Sequence, residues 1–349
     1  MESTRDVFDV TIIGSGPVGL YGAFYAGLRG MKTKILDALP QLGGQLVTLY
    51  PEKYIYDVAG FQKILAKDLA KNLIEQALSL NPTVCLEEKV TALKSLEDGP
   101  SKIFELVTDK GKSHFTKSVI LTAGIGAFKP KKLEVPGIET YEGNGIFYFV
   151  NEKKVFSDKE ILIVGGGDSA VDWALNLLDT AKKITLIHRR DQFRAHEESV
   201  KELVSSPIEV RTFHELKLIR GNSKLEEAVI FDNRTLEEKN LKVDAVILNL
   251  GFHADLGPVR EWGLVIEKGG IKVNYRMETN VQGIFAAGDV ANHPGKLKLI
   301  STGFGEVATA VNFAKNLLDP ASRVFPGHSS DMRNKPSSNL SILKENRSF

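Results

Sequence analysis

Two short glycine runs carry the chemistry that can be read from this chain. "GSGPVG", Gly14 to Gly19, fits G-x-G-x-x-G, and "GGGDSA", Gly165 to Ala170, fits G-x-G-x-x-A. In such a loop the first glycine permits a tight turn and the second lets the backbone approach a pyrophosphate. The third small residue lets the following helix pack closely on the preceding strand. The pyrophosphate then meets the positive end of that helix. Gly14, Ser15, Gly16, Pro17 and Gly19 therefore form one expected phosphate cradle, and Gly165, Gly167, Asp168, Ser169 and Ala170 a second. The two loops differ in the residues downstream of them. Asp37 comes 23 residues after Gly14, at the end of the next strand-like run, where a carboxylate accepts hydrogen bonds from a ribose diol. The equivalent place after the second loop holds Arg189 and Arg190, with Arg194 a few residues on. A carboxylate there would repel the 2′-phosphate of NADP, whereas guanidinium groups pair with it in a forked geometry. Charged hydrogen bonds at ~1.5–3 kcal/mol each make two of them worth a preference of roughly a hundredfold or more. The second site is expected to take NADPH.

A third motif assigns the first site. "TNVQGIFAAGD", Thr279 to Asp289, is a threonine, six residues, then A-x-G-D. That pattern closes the FAD site in flavoproteins with two dinucleotide sites, where the aspartate holds the ribityl chain. Gly288 and Asp289 are thus expected beside Gly14, with FAD as the cofactor. A site made from both ends of the chain requires the middle to be an inserted domain. The expected division is an FAD-binding domain from residues 1–124 and 250–349 around an NADPH-binding domain at 125–249, with crossings near "VILTAG" and "AVILNLG".

The elements that must hold these loops are legible as apolar runs. "FDVTII", "KTKILDA", "EILIV" and "AVILNLG" read as buried parallel strands bounded by glycines. Pro17 sits in the first turn of the helix after the first loop, where a missing N–H costs nothing. Apolar spacing predicts a helix over 61–80 and another over 305–319, and strand-like pieces fall at "KVTALKSL", "KIFELVT", "SVILTAG", "IEVRTF" and "EEAVIF". After Asp319 the chain turns polar and Ser/Pro-rich, the composition of a tail or a loosely docked segment. The expected fold class is α/β, with two Rossmann-like three-layer dinucleotide-binding domains.

Bulk composition excludes several classes. With 349 residues, 42% hydrophobic and 26% charged, the chain is ordinary globular material for two domains. A net charge of +1 gives no overall field for nucleic acid or membrane. No apolar run approaches the ~20 residues of a membrane helix, and the N-terminus does not read as a signal peptide, so a soluble cytoplasmic protein is expected. Cys85 stands alone, which rules out an internal disulfide and a CxxC redox pair and reads as a buried structural thiol. No Ser/His/Asp set, Cys/His pair or H-E-x-x-H pattern occurs, so neither side-chain acid–base catalysis nor a metal site is expected.

The FAD motif, the inserted NADPH motif, "HRRDQFR" and "AAGD" together resemble the thioredoxin reductase superfamily. Thioredoxin reductase carries its CxxC just before the second glycine motif, where this chain reads "IFYFVNEKKVF" without cysteine. The sequence more closely resembles the thioredoxin-reductase-like ferredoxin/flavodoxin–NADP⁺ reductases of bacteria. The likeness covers nearly the whole chain and includes "LPQLGGQL", "LYPEKYIYDVAGF", "TAGIGAFKPKKLE" and "STGFGEVATAV". The resemblance implies that Asp37, Gln45, Tyr50, Val90, Phe128, Asp289 and Ser330 contact FAD. It further implies that Tyr50 stacks on one face of the isoalloxazine, and that the tail from about residue 320 brings His328 to the other. Asp37 stands where the family usually has Glu. The implied activity is hydride exchange between NADP(H) and FAD with single-electron exchange to ferredoxin or flavodoxin, in a homodimer. Alternatives are an NADPH diaphorase or oxidase acting on small quinone or iron acceptors and, of another class, a non-catalytic NADPH-sensing flavoprotein. Lys129, Lys131, Lys132, Lys296 and Lys298 are candidates for steering an acidic protein partner.

Overall fold

The computed structural model describes residues 5–96, 102–124, 126, 129–253 and 255–328. It holds two five-stranded parallel sheets. The first draws on both ends of the chain, in the order Ile284–Ala286, Val119–Leu121, Val10–Ile13, Thr33–Leu36, Thr83–Cys85. The second lies wholly within the middle, in the order Ile146–Phe147, Ala245–Leu248, Glu160–Val164, Lys183–His188, Glu209–Thr212. In each, the strand before the glycine loop has its successors on one side and a later strand on the other. The strand order therefore reverses beside the loop, at the carboxyl ends of the strands, where such sheets open a ligand crevice.

Burial explains why these strands read as unbroken apolar runs. In Glu160–Val164, Ile161 and Ile163 face a core with Trp173 and Leu203 from the helices Asp168–Asn176 and Glu197–Ser205. Leu162 and Val164 point the opposite way, into a core shared with Leu216, Ala228 and Ile230. Those residues come from an antiparallel meander of His214–Gly221, Leu225–Asp232 and Glu238–Lys242. Ala245 and Ile247 split from Val246 and Leu248 in the same way, as a period of two requires. In the first unit, helix Pro17–Leu28 lies against both Ala66–Leu78 and Ile300–Leu318. A second sheet, Val7–Phe8, Ser113–Thr116, Phe104–Thr108 and Val90–Ser95, adds Phe104 and Leu106 to the core.

Two helix boundaries differ from the sequence reading. The helix expected over 61–80 starts at Ala66, because Ile64–Leu65 instead pairs antiparallel with Tyr54–Ile55. The last helix starts at Ile300 rather than 305, which brings Gly303 against Val18 and Gly288. Cys85 is half-buried on an edge strand rather than fully enclosed, and burial pushes its thiol up. No helix among the described residues is long and apolar enough to cross a membrane.

Candidate functional site

The two glycine loops are built alike. A Cβ at Gly14 would lie 2.6 Å from the Thr122 carbonyl oxygen, and one at Gly165 would lie 2.5 Å from that of Asn249. In both cases the neighbouring strand's end presses on the first glycine. Gly16 and Gly167, by contrast, have no heavy atom within 4 Å of a built Cβ, so each opens onto free space at a helix N-terminus. A Cβ at Gly19 would meet the Gly14 carbonyl oxygen at 1.9 Å, and Ala170, in the matching place, is fully buried. Tight turn, open approach and close packing thus fall on the residues the motif names.

Asp37 is tied to the first loop. Its Oδ2 accepts the Ser15 N–H at 2.5 Å and the Ser15 hydroxyl at 2.6 Å, and its Oδ1 accepts the Leu39 N–H at 2.8 Å. A carboxylate offers about four acceptor positions, so one remains for a ribose hydroxyl. Pro17 occupies the first turn of its helix, and Gly44 packs against Gly16. Gln45 opens the helix Gln45–Thr48, with its amide nitrogen 3.1 Å from a Cβ built on Gly124. Val90 is buried at the start of its strand.

Gly288 and Asp289 follow Ile284–Ala286, the strand beside Val119–Leu121, so both chain ends meet at this crevice. Asp289 accepts no hydrogen bond among the described residues, and burial pushes its carboxyl above the ordinary carboxylate range. Tyr50 packs against the cores of both units. Burial, with Asp289 and Asp57 adding their negative charge, pushes its phenol up to about 12, so it is a neutral ring. An open loop at a helix N-terminus and an unpartnered, desolvated carboxyl on the same crevice fit a dinucleotide with polyol hydroxyls to donate.

Phe128 and Ser330 lie outside the described residues. His328 is exposed, with its ring edge-on to Phe325 at 5.5 Å. The segment leading to it is anchored by Arg29, which donates to the Arg323 carbonyl at 2.8 Å. Arg29 caps the C-terminal end of Pro17–Leu28, about 18 Å along that helix from the glycine loop at 1.5 Å per residue. Arg323, five residues before His328, is therefore held at the far end of the helix from the first cradle.

At the second loop the chain from His188 to His196 folds back over the glycines. Arg194 N–H donates to the Gly166 carbonyl at 2.7 Å, and His196 N–H to Asp168 Oδ1 at 2.9 Å. His188 stacks on Phe193, its ring against Gly166, where any Cβ would be 2.2 Å away. Arg189, Arg190 and Arg194 are exposed and have no ion pair among the described residues. Burial first, and then these three cations, hold the His188 imidazolium below its ordinary range. The rim of this loop thus carries three guanidinium groups with no carboxylate at ion-pair distance among the described residues, alongside the acidic Asp168, Glu197 and Glu198. Asp168 and Arg194 line a cavity with Ala195, His196, Glu197, Glu198 and Lys201, and Ser169 is exposed beside it.

Three features were not read from the sequence. The stretch after Tyr50 bridges the two units: Lys53 pairs with Asp172 at 2.5 Å, and Glu52 accepts the Lys153 N–H at 2.8 Å. "YPEKY" was the signal, but its charges have no visible partners in one dimension. Glu306, deep under Gly288, was hidden in a helix. Cys85, Glu88 and His114 bring three donor atoms within 4.8 Å of one another. There both Glu88 oxygens are taken by Lys112 and His114, and Lys34 sits 3.1 Å from the other His114 nitrogen, so two ammonium groups already serve the cluster. The lysine candidates need correcting. The Lys296 side chain is 7% exposed and paired with Glu306, so it is closed to a docking partner. Lys132 is engaged by Glu142 at 2.7 Å, while Lys131 and Lys298 are exposed. Of Lys129, only the backbone is described.

Residues 8–312 match the family model for pyridine nucleotide-disulphide oxidoreductases. A ferredoxin–NADP reductase of Symbiobacterium thermophilum is 54% identical, over 96% of this chain and 100% of its own. A ferredoxin–NADP reductase of Thermus thermophilus is 51% identical, over 93% of this chain and 97% of its own. Among solved structures, thioredoxin reductase of T. acidophilum is similar with a TM-score of 0.79 at 26% identity, covering 91% of this chain and 100% of that one. Thioredoxin reductase of Lactococcus lactis in its FR conformation is similar with a TM-score of 0.76 at 30% identity, covering 89% and 99%.

Proposed function

The chain belongs to the pyridine nucleotide-disulphide oxidoreductase family and, within it, to the ferredoxin–NADP reductases, and we propose the residue roles by which it works. The observation that carries the reading is the pairing of two differently charged glycine cradles with the absence of any cysteine pair. Cys85, the chain's single cysteine, sits on an edge strand with its thiol pushed up by burial, so electrons pass to an external acceptor.

FAD, bound at the first cradle, supplies exchange of a hydride with NADP(H) and of single electrons with ferredoxin. Gly14, Gly16 and Gly19 shape the pyrophosphate loop, with Ser15 and Pro17 in it, and Asp37 holds that loop and receives the ribose. Asp289 receives the ribityl chain, and Gln45, Val90, Phe128, Gly288 and Ser330 complete the contacts. Tyr50, a neutral ring between the two cores, supports one flavin face and excludes water from it; His328 is assigned to the other. Gly165, Gly167, Asp168, Ser169 and Ala170 form the NADPH loop, and Arg189, Arg190 and Arg194 select its 2′-phosphate.

The division into an FAD-binding domain at 1–124 and 250–349 and an NADPH-binding domain at 125–249 is supported by the chain crossings. Lys129–Pro130 pairs antiparallel with Phe252–His253, so the two connections run side by side. Flavodoxin as a second carrier, a homodimer, and residence in the cytoplasm complete the proposal. The test is anaerobic NADPH oxidation coupled to cytochrome c reduction, with and without added ferredoxin or flavodoxin. Saturable, salt-sensitive stimulation is expected. Fast reduction of dyes or quinones with no stimulation by either carrier would instead make the protein a small-acceptor diaphorase.

A further inference from the structure

A charge cluster lies buried beneath the turn that presents Asp289. Glu306, on helix Ile300–Leu318, is 6% exposed and collects donors from three residues. Gly288 N–H reaches its Oε2 at 2.7 Å, His293 Nε2 lies 2.9 Å from its Oε1, and Lys296 Nζ is 2.6 Å from each oxygen. The helix comes this close because Gly303, one turn earlier, would place a Cβ only 3.4 Å from Gly288 Cα. Gly288 itself is left-handed, at φ +77°. Asp289, the next residue, feels the charges of Lys296 and Lys298 and of Glu306, yet accepts no hydrogen bond among the described residues. One buried carboxylate therefore takes the Gly288 N–H, His293 and Lys296, and its neighbour accepts no hydrogen bond among the described residues.

We propose that Glu306 is a positioning residue: it fixes the 288–290 turn through the Gly288 N–H and sequesters Lys296, keeping the Asp289 carboxylate free for a cofactor hydroxyl. Lys296 is the competitor in this arrangement. An ammonium–carboxylate hydrogen bond is roughly twice as strong as a neutral one, so a Lys296 released beside Asp289 would outcompete a hydroxyl. Glu306 prevents this with two oxygens against the single ammonium, and His293 completes the cluster. The inference rests on the assignment of FAD to the first cradle.

The test is titration of flavin-free protein with FAD, followed by quenching of flavin fluorescence, in four proteins: wild type, Glu306→Gln, Lys296→Met and the double variant. Glutamine keeps an oxygen for the Gly288 N–H and removes the charge that holds Lys296. Glu306→Gln is expected to raise the Kd for FAD about tenfold, the worth of one charge-assisted hydrogen bond. The double variant, which removes the competitor as well, is expected to return to within about threefold of wild type, and Lys296→Met alone to stay within the same margin. An unchanged Glu306→Gln, a double variant as weak as the single, or a tenfold loss in Lys296→Met would each overturn the role. Should Glu306→Gln not fold, the Lys296→Met and double variants still decide it. Wild-type protein that takes up no FAD would defeat the site assignment itself, a separate result.

Discussion

At the scale of single residues, the two cradles are separated by charge rather than by shape. Both present an open glycine at a helix N-terminus, but Asp37 follows one and three arginines rim the other. Replacing Arg189 and Arg190 together by Ala is expected to lower kcat/KM for NADPH by about a hundredfold and for NADH by no more than about threefold. Equal losses with the two coenzymes would refute the 2′-phosphate assignment. Asp289 makes a subtler prediction. Its pKa is raised in the fold, so its charged form is disfavoured there. The stability it contributes is full below the unfolded pKa and lost as pH rises through the folded one. Asp289→Asn should therefore make the flavin-free protein more stable than wild type at neutral pH, a gain that disappears in acid. The same change should weaken FAD binding about tenfold. Thermal melts across the pH range and an FAD titration measure the two effects; a variant less stable than wild type at neutral pH would contradict the argument.

At the scale of elements, the stretch from Tyr50 to Lys53 ties the two units together. Lys53 and Asp172 are each about one-fifth exposed, and Asp172 lies on the helix that begins at the second glycine loop. A partly buried, charge-assisted pair of this kind is worth on the order of 1 kcal/mol after screening. Lys53→Ala and Asp172→Ala should each cost about that much, and the double variant no more than the worse single, because both remove one interaction. Additive costs from denaturant unfolding would show that the two charges act separately. This pair also marks the limit of what the sequence reveals. The strands carrying the glycine loops were legible because burial on both faces leaves continuous apolar runs such as "EILIV". The loops were legible because each glycine answers a local steric demand. The helix starts at Ala66 and Ile300 were not, the first because Ile64–Leu65 carries apolar residues that suit a helix but is claimed by Tyr54–Ile55. Nor were Lys53–Asp172 and Glu306–Lys296–His293, whose partners are set by how elements pack rather than by spacing along the chain.

At the scale of the whole molecule, a net charge of +1 supplies no general attraction for an acidic carrier, so steering must be local. The structure narrows the source. Lys296 is buried against Glu306 and Lys132 is held by Glu142, but Lys298 is exposed and its charge favours the Asp289 carboxylate. On the proposed placement of FAD it stands near the cofactor, and it is committed to no ion pair among the described residues. An exposed charge acts over about one Debye length, ~8 Å at physiological ionic strength, so its effect must fade with salt. Lys298→Glu is expected to lower kcat/KM for ferredoxin about tenfold at low salt, through association, and to leave NADPH–ferricyanide turnover within about twofold. At high salt the ferredoxin difference should shrink toward the ferricyanide one. A loss with ferredoxin that persisted in high salt would mean that Lys298 acts on the bound cofactor through Asp289 rather than on the approach of the carrier. No loss at low salt would move the docking face to the surface around Lys131.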